Sequence, residues 1–118
     1  MMSQDGYPLT LISARGTAQR LFGLIGQPSP AWHTGLYFAH CRSVHTCFMR
    51  YAIDVVFIDA EGRIIKKIVR LPPWRCASCR AAHAAIELPA GYCDACADMD
   101  ARVMAAVANL RDAARLPV

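Results

Sequence analysis

The stretch Ile53–Val69 constrains the fold of this 118-residue chain more than any other segment. Ile53 to Ile58 reads IDVVFI, and Ile64 to Val69 reads IIKKIV. Both runs are short and rich in β-branched residues, which suit a pleated surface better than a helix. Asp59-Ala60-Glu61-Gly62 stands between them, a Gly-containing connection of the length that joins antiparallel neighbours. The pair predicts a β-hairpin ended by Leu71-Pro72-Pro73-Trp74. A chain built around it must cover at least one apolar face. With 55% hydrophobic and 19% charged residues, the composition supplies that cover and excludes a disordered chain.

Further strands are expected at Tyr7–Ser13, Leu36–Ala39 and Val44–Met49, and a short helix over Ala18–Leu24 behind Thr17. The two prolines of Gly26–Pro30 make that segment a loop. Arg80–Leu88 is ambiguous. Its alanines favour helix, while its place between the hairpin and Pro89-Ala90-Gly91 suits a strand. Val103, Val107, Leu110 and Ala114 recur with helical spacing. Asp98 and Asp100 stand near the start of that segment, and Arg111 and Arg115 near its end, so Met99–Arg115 reads as a helix.

The net charge is +4, but the basic residues are scattered. The tightest group, Arg63, Lys66, Lys67 and Arg70, falls on a strand and its turn. That pattern fits a solvated sheet face and argues against a nucleic-acid stripe. The first residues lack the basic start and apolar run of a signal peptide, and no stretch approaches a membrane span. The expectation is a cytoplasmic protein without membrane association. There its six cysteines would serve as metal ligands, reactive thiols or buried residues rather than disulfides.

Two constellations could carry chemistry. Cys76/Cys79 and Cys93/Cys96 form two C-x-x-C pairs separated by thirteen residues. Four thiolates arranged tetrahedrally suit a structural zinc site. A strand between the pairs would hold them apart, whereas a helix would place Cys76, Cys79 and His83 on one face. Either pair alone could be a redox dithiol, with Arg75 and Arg80 beside the first and Asp94 and Asp98 disfavouring thiolate at the second. The plainer alternative is inert, partly buried cysteine.

The second constellation is Cys41, His45 and Asp54, the residue types of a nucleophile, a base and an orienting carboxylate. Asp54 sits among Ile53, Val55, Val56 and Phe57. A structural role, accepting bonds from the backbone or from Arg50 or Arg42, explains it better. No glycine elbow or oxyanion feature accompanies Cys41. His33 and His40 carry no assignment, and Trp74 reads as a core plug or the cover of a binding mouth.

Several short pieces keep order and spacing: Ala18-Gln19-Arg20 to Gly23-Leu24, Gly35-Leu36, Cys41 to Asp59, Gly62, Pro73-Trp74-Arg75 and Glu87-Leu88-Pro89-Ala90-Gly91. Over roughly residues 7–100 the chain resembles a microbial family catalogued as domain of unknown function 192. It departs from that family's pattern at Cys47, Phe48 and Ala52, and a Gly-Asp pair expected near Asp98–Asp100 is absent. The resemblance implies a mainly β fold, a small antiparallel barrel or sandwich-like domain with one or two short helices, here including the C-terminal one. It supplies no catalytic residues. The expected organisation is one domain over 1–118, with a family-like core at 7–100 and a helical tail at 101–118. The reading it supports is a non-enzymatic module that binds a protein or small-molecule partner, with zinc as a candidate cofactor. A thiol-dependent enzyme or redox protein is the alternative.

Overall fold

A computed structural model describes residues 8–14, 32–47 and 49–115. Among the described residues there are seven strands: β1 (Thr10–Ala14), β2 (Thr34–Ala39), β3 (Ser43–His45), β4 (Ile53–Ile58), β5 (Ile64–Leu71), β6 (Cys76–Ser78) and β7 (Ala84–Pro89). Two helices follow, α1 (Tyr92–Ala95) and α2 (Met99–Arg115). Five strands form one sheet in the order β1-β2-β7-β4-β5, and β3 pairs with β6 in a separate ribbon. All pairings are antiparallel except that of β1 with β2.

The expected hairpin is β4–β5, turned by DAEG. Asp59 Oδ1 accepts the backbone N–H groups of Glu61 at 3.0 Å and Arg63 at 2.9 Å. Gly62 adopts φ 90, which its missing Cβ permits. Residues 84–89 settle as strand, since β7 lies between β2 and β4 and a helix there could not complete their ladders. Both β4 and β7 are buried at every residue.

Alternation along these two strands divides the core. Val56, Ile58, Ala84, Ile86 and Leu88 meet Val103, Ala106 and Val107 of α2 on one face. Ile53, Val55, Phe57 and Ala85 meet Val44, Met49 and Ala82 on the other. One face is thus covered by helix, the other by the β3–β6 ribbon and its loops. Gly35 allows β2 to pass close to its neighbours, because a Cβ there would fall 2.7 Å from Leu88 Cδ2.

The mainly β class and the C-terminal helix agree with expectation, but the sheet is not closed into a barrel. Its edges, β1 and β5, are not paired with each other. α2 spans the expected Met99–Arg115 and packs against one face of the sheet. The register of β5 slips twice against β4, between Ile53/Val55 and Phe57/Ile58, and such bulges blunt an edge strand. The expected helix at Ala18–Leu24 and the Gly26–Pro30 loop lie outside the described residues. No helix among the described residues is long and apolar enough to cross a membrane.

Candidate functional site

Asp54 is fully buried on the helix-covered face of β4. Its Oδ1 accepts the N–H of Arg70 and of Gly91, each at 2.8 Å, and its Oδ2 accepts the N–H of Cys93 at 2.9 Å. The local backbone is shaped to deliver these donors. Arg70 stands at the first β5 irregularity with φ 55, and Gly91 has φ 83 at the start of α1. Asp54 therefore ties a bulged strand to the turn after β7, the structural role expected for it. The donors are main-chain groups rather than Arg42 or Arg50.

Cys41 and His45 belong to the opposite side of the sheet. Cys41 packs at the margin of the ribbon-side core, and its thiol donates to the Ser43 carbonyl at 3.1 Å. His45 is exposed on β3, opposite Cys76. The sheet thus separates both from Asp54, and the three do not assemble.

The C-x-x-C pairs are parted in the same way. Cys76 is exposed on β6 and Cys79 packs on the ribbon-side core, whereas Cys93 and Cys96 are buried in the helix-side core. Among the described residues no group of three or more His, Cys, Asp or Glu could hold a metal. The strand at residues 84–89 is what keeps the pairs apart. Burial pushes the Cys93 thiol up to about 12, and the Asp54 charge and its hydrogen bond add to the effect. Burial does the same to the Tyr92 phenol, also to about 12. Tyr92 Oη lies 2.9 Å from His33 Nδ1, and its ring meets Trp32 edge-on at 4.9 Å.

Polar side chains converge elsewhere, where β2 ends and β7 begins. Ala39 pairs with Ala84, which brings His40–Ser43 beside Ala82–His83 around an open groove of about 560 Å³. His40 leaves β2 with φ 54, a conformation uncommon for a residue with a side chain. Its ring meets that of His83 with centroids 5.3 Å apart and planes at 67°. Arg42 and Ser43 complete the wall. No carboxylate lines this groove among the described residues. A second recess, about 470 Å³, is walled by Lys67, Cys93, Cys96, Asp94, Asp98 and Asp100 among others.

Sequence reasoning missed the His40–His83 groove, since the two segments lie some forty positions apart and carry no motif. A histidine immediately after one strand and another immediately before its partner would have been the signal, once the pairing of β2 with β7 was known.

Trp74 is displayed rather than plugged in: it is 56% exposed and has φ 63. Thr46 holds its loop. The Thr46 carbonyl accepts the Trp74 N–H at 3.0 Å, and its Oγ1 accepts the Arg75 N–H at 2.9 Å. The same hydroxyl donates to the Pro72 carbonyl at 2.6 Å.

The family model for domain of unknown function 192, described as uncharacterized ACR, matches residues 1–103. No curated protein matches the chain. Two crystal structures share its fold. One, from Sinorhizobium meliloti, carries the description of a candidate transcription regulator. It is 25% identical, with 73% of this chain and 72% of that one covered at a TM-score of 0.63. The other, a protein of unknown function from Novosphingobium aromaticivorans, is 16% identical, with 70% and 64% covered at a TM-score of 0.61.

Proposed function

We propose that this chain, which belongs to the domain of unknown function 192 family, is a non-enzymatic binding module whose site is the groove between His40–Ser43 and Ala82–His83. The observation that carries the reading is the convergence there of two imidazoles and a guanidinium without a carboxylate among the described lining residues. Polar groups gathered in a concavity of this size suit a small ligand. The groove is open, and the Cys41 thiol on its wall donates to the Ser43 carbonyl. Binding is therefore a better account than turnover. We place the module in the cytoplasm, a reducing compartment that suits six free thiols.

The test is a fragment screen followed by amide NMR on the full chain. Saturable shifts centred on residues 40–43 and 82–83 support the reading. Shifts confined to other surfaces, or a specific turnover abolished by Cys41→Ala in folded protein, would overturn it.

Thiol chemistry remains a second reading because Cys76 is exposed directly across the ribbon from His45. Cys76 reacting faster than an unfolded-chain thiol, and losing that advantage in His45→Ala, would favour it. The description of the Sinorhizobium protein raises a nucleic-acid role. The basic group of β5 and the turn before it is largely engaged within the protein, however. Lys66 Nζ donates to the Ser78 carbonyl at 2.7 Å, Arg63 faces Asp59 at 3.7 Å and Arg70 faces Asp94 at 3.5 Å.

A further inference from the structure

We infer that the ligand of the His40–His83 groove is a small molecule bearing a terminal phosphate monoester, a deduction that rests on the binding reading above. The walls are unusual in their sign and in their geometry. Arg42 brings a fork of N–H donors and a fixed positive charge, and it is exposed with no carboxylate partner among the described residues. His40 and His83 add ring N–H donors, and Ser43 borders the same space.

These donors are not coplanar. The imidazole planes cross at 67°, so their ring N–H groups do not lie in one plane. A carboxylate accepts best near its own plane, whereas a phosphate presents acceptor oxygens tetrahedrally and carries more charge. The donor set therefore suits a phosphate better than a carboxylate.

Backbone strain points to the same place. The φ of 54 at His40 turns the chain out of β2 in a left-handed conformation that is unfavourable for a residue with a Cβ. That turn brings its ring onto His83. The volume, about 560 Å³, lies in the range of small-molecule sites, and the opening to solvent leaves the ester substituent outside. Recognition is thus of the phosphate end.

The experiment is amide NMR titration of the full chain with inorganic phosphate and with glycerol 3-phosphate at constant ionic strength, using chloride and acetate as comparators. The same titrations are repeated on Arg42→Gln and His83→Asn. Both changes lie at the groove rim, so unchanged melting temperatures certify folding. We expect saturable shifts at residues 40–43 and 82–83, tighter for glycerol 3-phosphate than for inorganic phosphate. Acetate should bind more weakly, and each variant should lose about tenfold or more in affinity, as expected when a charge-assisted hydrogen bond is removed. Tighter binding of inorganic phosphate would replace the monoester with the free ion. Equal shifts with chloride or in both variants would reduce the effect to screening and overturn the inference. If neutral fragments occupy the groove and phosphate does not, the phosphate assignment falls while the binding reading stands. If neither does, both fall.

Discussion

Replacing Asp54 by Asn tests whether the three main-chain bonds to its carboxylate hold the sheet to its C-terminal helices. The substitution keeps size and shape but turns one acceptor oxygen into an NH2 donor. If that donor takes the Oδ2 position it faces the Cys93 N–H, whose bond to Oδ2 now measures 2.9 Å. One bond to a charged acceptor is then lost, worth about 1.5–3 kcal/mol, and a buried N–H is left facing another donor. The bonds from Arg70 and Gly91 survive on a neutral oxygen and weaken by roughly a further 1 kcal/mol together. Against this, the variant no longer buries a charge, and that relief offsets part of the loss. The net expectation is a destabilisation of about 2–4 kcal/mol, a large share of the roughly 5–15 kcal/mol typical of a domain.

Urea unfolding followed by circular dichroism measures it, with an unchanged m-value showing that the folded state is still compact. The Cys93 thiol gives an independent readout. Asp54 helps to raise it, so in the variant it should ionise at lower pH, though still above a free thiol because burial is the larger cause. A loss below about 1 kcal/mol with no change at Cys93 would refute the argument, since the carboxylate would then be interchangeable with a neutral amide.

Gly91→Ala should cost about 1–2 kcal/mol from its φ of 83, with little added by the nearby Arg70 guanidinium, whose flexible end can move; a larger loss in the melting curve would show that Arg70 is pinned. Thr46→Val should cost about 1–3 kcal/mol and change the Trp74 emission, because Arg75 N–H and Pro72 C=O lose their shared hydroxyl. Unaltered emission and stability would mean the Trp74 loop is held by other contacts. Stability should also fall at alkaline pH. With the Cys93 thiol moved from 9.0 to about 12, the unfolded chain releases a proton over that interval while the folded chain keeps it. Its contribution is complete below pH 9 and declines by about 1.4 kcal/mol per pH unit as pH rises through the folded value, and Cys93→Ala should flatten that slope.

The parts of the fold legible in advance were those whose cause is local. Ile53–Ile58 matches its strand residue for residue, because β-branched runs flanking a Gly turn leave few options. The helix over Met99–Arg115 follows from the spacing of Val103 and Val107, both buried against the sheet. Ala84–Pro89 was not decidable. Alanine favours helix, and only the pairings with β2 and β4 override it. Cys76–Ser78 gives no strand signal of its own and becomes a strand by pairing with Ser43–His45. Asp54 could be recognised as structural from its apolar neighbours. Its donors, at Arg70, Gly91 and Cys93, could not be identified before the bulge and the turn after β7 were known. The cysteine spacing spoke for a shared site, and an intervening strand set the two pairs on opposite faces.

The position of β7 between β2 and β4 has a consequence for how the protein is made. During synthesis, β2 and the β4–β5 hairpin emerge long before the strand that joins them. Until residue 84 has left the ribosome, two sheet fragments coexist, each with an open edge of unpaired N–H and C=O groups. The central strand arrives late and must pair on both sides at once, a non-local step of the kind that slows folding. Nascent chains that stall before it would be prone to stick to one another, edge to edge. Productive folding therefore depends on the last third of the chain, and a fragment ending before Ala84 should be insoluble whatever the quality of its hairpin.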